Sequence, residues 1–230
     1  MKYRNPIISG YNPDPSICRV GEDYYIVNSS FEFYPGVPVY HSRNLVNWEL
    51  EGYCLTEESQ LDLHGCRPSG GIYAPTIRYH QGTFFMTTTN TSGKGNFIVH
   101  TTDMKKGWSK PAWVDQGGID PSLLFDDDGT VYFASTSMDS EGKTGIFLCQ
   151  VNPFTGERLT ESVVISRGCG GRYAEGPHLY KWFGKYYLML AEGGTEYGHM
   201  ETILRSDSPY GPFEACPHNP ILTHRDDMRE

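Results

Sequence analysis

What the chain lacks narrows its identity first. It has no apolar run approaching the roughly 18–20 residues that a membrane helix needs. Its first residues, Met1-Lys2-Tyr3-Arg4-Asn5-Pro6, contain no apolar h-region. The expectation is neither a membrane span nor a signal peptide, and a cytoplasmic location. It also lacks a basic cluster: the formal net charge is −9, and the acids form no long runs. That argues against a nucleic-acid partner, since a phosphate backbone requires a positive face. None of the cysteines, Cys18, Cys54, Cys66, Cys149, Cys169 and Cys216, forms a C-x-x-C pair. Without a secretion signal they are expected as reduced thiols rather than disulfides. Finally, no window of about eleven residues keeps an apolar period of 3.6, so almost no helix is expected.

What is present is turns and aromatics. The chain has 26 Gly, 15 Pro and 16 Tyr among 230 residues, enough length to bury a real core. The runs between the turn residues are β-branched and aromatic, which reads as many short strands rather than disorder. One short motif recurs. Asn12-Pro13-Asp14-Pro15-Ser16-Ile17 is closely repeated as Asp120-Pro121-Ser122-Leu123. Ala74-Pro75-Thr76-Ile77 repeats it without the acid, and Glu175-Gly176-Pro177-His178-Leu179 loosely, with Glu in place of Asp. After each copy come a short strand pattern, a Gly-containing turn and an aromatic-led second strand, such as Tyr24-Tyr25-Ile26-Val27 or Lys185-Tyr186-Tyr187-Leu188. This is a β-hairpin signature. A third strand follows in every repeat, at 37–42, 97–102, 145–150 and 202–206, and a more polar fourth can be drawn at 48–51 and 162–165.

Four strands in a repeat of about 50 residues is the period of a β-propeller blade. A β-sandwich has no reason to repeat one strand order in this way. The fold class expected is all-β, a single propeller domain over residues 1–230. Its blades are expected at about 5–70, 71–117, 118–170 and 171–217, with 218–230 starting a fifth. The fifth is suggested because Asn219-Pro220-Ile221-Leu222 echoes the lead-in Asn5-Pro6-Ile7-Ile8. An unclosed ring would expose sheet edges, which invite association, so a homo-oligomer stays open.

In a propeller the first strand of each blade lines the central channel. Asp14, Asp120 and Glu175, taken as one repeat position, are therefore expected around one channel mouth. A single Asp before Pro is ordinary turn chemistry. Repeated carboxylates in one cavity repel, and such a cost persists where it is useful. Paired carboxyls suit glycoside hydrolysis: one stays protonated to protonate the leaving oxygen, and another takes a proton from water. A third can hold the acid's pKa up by like-charge repulsion. Opposite blades would suit the roughly 6.5–9.5 Å separation of an inverting mechanism. A propeller scaffold that binds sugar or protein without turnover is the competing class. His199 sits where a blade loop would approach the mouth and is a candidate substrate contact beside the plainer reading of a loop histidine. Asp126-Asp127-Asp128-Gly129 reads as a hairpin turn rather than a metal loop, and His64 with Cys66 makes too few ligands for zinc, so no metal residue is assigned.

Together, Asn12-Pro13-Asp14-Pro15-Ser16-Ile17, the segment 31–42, Gly71-Ile72-Tyr73-Ala74-Pro75-Thr76, Gly118-Ile119-Asp120-Pro121-Ser122-Leu123 and Ala174-Glu175-Gly176-Pro177-His178 resemble glycoside hydrolase family 43. The likeness is strongest to its β-xylosidases and α-L-arabinofuranosidases. It implies a five-bladed propeller, an inverting mechanism and an oligosaccharide substrate from xylan. It implies Asp14 as general base, Glu175 as general acid and Asp120 as modulator of the acid, with Phe31 and Tyr73 as walls of the sugar pocket. No cofactor is required, although the resemblance implies a structural calcium at the channel centre where a fifth blade is present. Position 73 is usually Trp in the family and is Tyr here. Residues 137–142 lack the family's aromatic-rich loop, which leaves xylose against arabinose open.

Overall fold

The structure is a computed structural model and describes residues 2–225. It is built of antiparallel sheets that follow the sequence repeats. Strands β1 (Ser16–Val20), β2 (Asp23–Val27), β3 (Gly36–Ser42) and β4 (Glu49–Leu55) form the first sheet in sequential order. Strands β5 (Ile72–His80), β6 (Thr83–Asn90), β7 (Gly95–Thr101) and β8 (Ala112–Trp113) form the second. Strands β9 (Ile119–Phe125), β10 (Val131–Met138), β11 (Thr144–Gln150) and β12 (Val163–Ser166) form the third. The fourth contains β13 (Glu175–Trp182), β14 (Lys185–Glu192), β15 (Met200–Ser206), β16 (Glu214–Ala215) and β17 (Leu222–Thr223). A short 3-10 turn at Met104–Lys106 is the only helical element among the described residues.

The chain divides into two compact units. The first holds residues 1–115 with 153–157, and the second 116–152 with 158–230. Each contains two sheets and one core. In the first unit, Val27, Val39, Leu55, Ile77, Met86 and Phe97 are fully or nearly fully buried. In the second, Leu148, Ile146, Leu179, Leu188 and Leu190 form the equivalent cluster. Alternation explains why: along β14, Tyr186, Leu188, Leu190 and Glu192 are buried while the residues between them are half-exposed. All six cysteines are free thiols.

The last described strand, β17, lies beside β15. Strand β16 covers only Leu204 and Arg205 of β15, which leaves the edge at Met200 and Glu201 unpaired. Thr223 and Leu222 take that edge, so the segment extends the fourth sheet. Residues 226–230 of the expected fifth blade lie outside the described residues. Trp108 is buried, and its carbonyl accepts a hydrogen bond from Gln60 Nε2 (2.9 Å). Trp182 lies at a hairpin tip and is 64% exposed.

Candidate active site

The heads of three inner strands, β5, β9 and β13, have the same irregularity. Tyr73 pairs with Thr89, but the next pair is Thr76 with Thr87, so Ala74-Pro75 forms a bulge. Ile119 pairs with Thr136 and Ser122 with Ala134, bulging Asp120-Pro121. Glu175 pairs with Ala191 and His178 with Met189, bulging Gly176-Pro177. The residue before each proline has positive φ: Asp14 at 52°, Ala74 at 35°, Asp120 at 57° and Gly176 at 57°. Left-handed backbone is costly for most residues, tolerated by Asp and free for Gly.

This register corrects one expectation. Asp14 and Asp120 share a repeat position, but Glu175 does not; Gly176 takes it. Glu175 stands one residue earlier, where the other repeats have Tyr73 and Ile119. The reason is the bulge: it is fixed by the proline and the left-handed residue before it, so the repeats align on proline rather than on acid. Asp120 is a bulge residue, whose side chain a bulge re-aims, and Asp14 has the same left-handed backbone just before β1. Glu175 is a ladder residue.

Asp14 and Asp120 are held differently. Asp120 Oδ2 accepts a hydrogen bond directly from the Gly176 N–H (3.0 Å), which fixes it against the peptide that follows Glu175. Ala74 occupies the place of Gly176, but its N–H does not reach Asp14. It donates to Ser29 Oγ (2.7 Å), and Ser29 Oγ in turn donates to Asp14 Oδ2 (2.5 Å). Ser29 is buried, and its own N–H is spent on the Pro13 carbonyl (3.1 Å). The amide of Asn28 donates to the carbonyls of Asn12 (2.9 Å) and Pro13 (3.1 Å), bracing the backbone on the other side of Asp14.

Phe31 and Tyr73 are brought together, with ring centroids 5.3 Å apart and edge to face. Phe31 also stacks on Tyr11 at 5.9 Å. Its backbone exchanges both hydrogen bonds with Ile72 at 3.0 Å. Tyr73 donates its hydroxyl to the Ser69 carbonyl, so that group is committed to the loop. Gly71 allows the close approach: a Cβ there would lie 2.3 Å from the Phe31 carbonyl oxygen. Exposed aromatic rings in such a group are suited to the apolar faces of a sugar.

Burial pushes the Glu175 carboxyl above its ordinary value of 4.5. The direction suits a proton donor. The cause is desolvation, and Asp120 touches the acid's strand through the Gly176 N–H. His199 serves its own loop. Its Nδ1 donates to the Gly194 carbonyl (2.7 Å), and its carbonyl accepts from Thr223 Oγ1 (2.8 Å). Sequence reasoning missed Tyr11, Ser29 and Asn28, because a serine or asparagine at the end of a strand gives no local sign of a partner many residues away. Among the described residues, no group of three or more His, Cys, Asp or Glu side chains is placed to hold a metal ion, so no ligands for the calcium implied by the resemblance can be assigned among them. Among the described residues, no helix is long and apolar enough to cross a membrane.

Sheets of four or five strands whose inner strands are headed by carboxylates and by paired aromatic rings define the class as a β-propeller. The model of glycosyl hydrolases family 43 matches residues 3–230, and the chain belongs to that family. It is 49% identical to a non-reducing end alpha-L-arabinofuranosidase of Bacteroides ovatus, over 96% of this chain and 42% of that relative. It is 40% identical to a beta-xylosidase of Bacillus subtilis, over 97% of this chain and 44% of the relative. The solved xylan beta-1,4-xylosidase of Bacillus halodurans superimposes with a TM-score of 0.93 at 40% identity, covering all of this chain and 46% of that one. The chain thus spans under half the length of these three relatives.

Proposed function

We propose that the protein is an exo-acting, inverting glycoside hydrolase that removes xylose or arabinose from short xylan-derived oligosaccharides. In this reading Asp14 accepts a proton from water as the water oxygen attacks the anomeric carbon. Glu175 gives its proton to the glycosidic oxygen as the bond from carbon to that oxygen breaks. Asp14 ends protonated and Glu175 ionised, and solvent exchange resets both. Asp120 holds the peptide that carries the acid, and Phe31 and Tyr73 flank the sugar.

The observation that carries this reading is the contrast between carboxyls. Glu175 is biased toward its protonated form by burial. Asp14 stands in a different setting, on left-handed backbone at the head of another inner strand, with one oxygen held by the Ser29 hydroxyl (2.5 Å). Two carboxyls in unlike settings are what acid and base roles require. A main activity on α-L-arabinofuranosides is the second reading, supported by the 49% identity to an arabinofuranosidase. Aryl β-xyloside and aryl α-L-arabinofuranoside should separate the two by their kcat/KM ratio. Proton NMR of the first-formed sugar should show the inverted anomer, and retention would overturn single displacement. If neither glycoside is cleaved and Glu175→Ala binds sugar as tightly as the parent, the catalytic reading fails.

A further inference from the structure

Strand β14 ends in a carboxylate for which the proposed reaction has no use. Glu192 is fully buried. Its Oε1 accepts from the Cys169 N–H (2.8 Å) and from Thr202 Oγ1 (2.7 Å), and its Oε2 from the Gly171 N–H (2.6 Å). Burying a carboxylate is expensive unless its lone pairs are satisfied. Here three neutral donors converge on it, two of them from the backbone of a single loop.

That loop, Gly168-Cys169-Gly170-Gly171-Arg172-Tyr173, is the segment that delivers Ala174 and Glu175 to the head of β13. It cannot hold itself. Glycine loses the most backbone freedom on ordering, and the loop is backed by a cavity of about 680 Å³ lined by Cys169, Gly170, Gly171, Arg172, Gly193 and Met200. The loop is shaped around the acid: a Cβ at Gly171 would lie 2.5 Å from Glu192 Oε2. The residue after Glu192 adds to the grip, since the Gly193 N–H donates to the Arg172 carbonyl (2.6 Å). The residue before it, Ala191, is the cross-strand partner of Glu175. One side chain therefore ties the loop that leads into Glu175 to the strand that pairs with Glu175.

We infer that Glu192 is a positioning residue for Glu175: it clamps the glycine loop so that the Glu175 carboxyl is presented in its half-buried setting. This deepens the proposed function and rests on it for the catalytic consequence, though not for the structural one. The other titratable groups near Glu175 are Asp120, held on the Gly176 N–H, and Glu201, which lies opposite Ala191 in the next strand.

The test is a carboxyl carbon-13 NMR titration of Glu175 in the parent, Glu192→Gln and Thr202→Val, with Asp120 and Glu201 followed alongside. Loss of the resonance in Glu175→Gln assigns it. Glutamine replaces one carboxylate oxygen by an amide nitrogen, which cannot accept, so at least one loop N–H loses its partner. Glu175 should then titrate closer to an exposed glutamate, and the amides of Cys169 and Gly171 should exchange at least about tenfold faster. Thr202→Val, which keeps both backbone bonds, should move the same way but less, and it serves if Glu192→Gln does not fold. An unchanged Glu175 titration beside loosened loop amides would overturn the inference. With aryl glycosides, Glu192→Gln should lose about tenfold on a phenyl leaving group but under about threefold on dinitrophenyl, which needs no proton. Equal losses would count against positioning. If Glu175→Gln itself shows no such leaving-group dependence, the general-acid reading fails, while the titration still decides whether Glu192 positions Glu175.

Discussion

Replacing Ser29 by alanine should damage the reaction more than it damages the fold. The hydroxyl makes two bonds that alanine cannot: it donates to Asp14 Oδ2 (2.5 Å) and accepts from the Ala74 N–H (2.7 Å). A hydrogen bond to a charged group contributes about 1.5–3 kcal/mol, and a buried donor left without a partner costs about 1–3 kcal/mol. Ala74 is only half-buried, so water can reach part of the gap, and the lower ends apply. We expect a loss of about 2 kcal/mol in urea unfolding. Asp14 would lose the partner that fixes one of its oxygens. If about 1.5–2 kcal/mol of that alignment is realised only in the transition state, kcat falls about 10–30-fold with little change in KM.

Two comparisons isolate the effect. Ser29→Thr keeps the hydroxyl and should recover kcat to within about threefold. Thr136 occupies the matching place in the third sheet, but its hydroxyl reaches only the Ala174 carbonyl at 3.5 Å and touches no acid. Thr136→Val should leave kcat within about twofold. A Ser29→Ala protein that unfolds more easily yet turns over as fast as the parent would show that the hydroxyl merely ties strands together, and the argument about Asp14 would be refuted.

Three further outcomes follow from the same structure. Asp120→Asn keeps an acceptor for the Gly176 N–H and Asp120→Ala does not, so kcat/KM should fall about tenfold further in the alanine variant. The alkaline limb, set by the burial that raises Glu175, should barely move in Asp120→Asn; equal losses with a shifted limb would make its charge the operative property. Gly71→Ala would place a Cβ 2.3 Å from the Phe31 carbonyl, whereas Gly82→Ala, at a similar φ of 84° against 83°, meets nothing within 4 Å. Both carry a left-handed penalty of about 1–2 kcal/mol; only Gly71→Ala should cost more than that in urea unfolding and raise KM by moving the aromatic wall. Finally, burial works to raise the pKa of Asp126, but hydrogen bonds from Lys181, Tyr186 and the Asp127 N–H outweigh it and hold it below 3.8. A depressed carboxyl pKa contributes stability above 3.8 that is lost as pH falls through the folded value. Asp126→Asn should therefore be less stable than the parent at pH 7 and lose less on acidification, as read by urea midpoints.

Much of the fold was legible because blades are written locally. A strand, a glycine turn and an aromatic-led strand follow each other within about 15 residues, and period-2 burial enforces the register. The third strands were legible for the same reason. The outer strands were less so: β8 and β16 have two residues each, too few to carry a pattern. The terminal segment could not be read because its partner was a matter of vacancy, the free edge of β15 beside a short β16. Ser29 was invisible for a related reason. Its significance lies in the N–H of Ala74, 45 residues away, and in the absence of the direct bond that Gly176 gives Asp120.

The misplaced register of Glu175 is the more instructive error, because the information was in the sequence. Aligning acids sets Glu175 beside Asp14 and Asp120. Aligning prolines sets Gly176 there, and only the second alignment has a physical basis. The residue before proline avoids the helical region, and here it must also take positive φ, so the position admits Asp, Ala or Gly for steric reasons before any chemistry is considered. Glutamate has no such licence. Placed one residue earlier, in the ladder opposite Ala191, it is oriented by the strand and by whatever fixes the loop before it, which is where Glu192 enters. Asp14 and Asp120 are aimed by left-handed backbone before proline and held through the following sheet. The acid-side residue is aimed by pairing and shielded by burial. The difference in protonation that the proposed reaction needs therefore begins as a difference of one residue in backbone register.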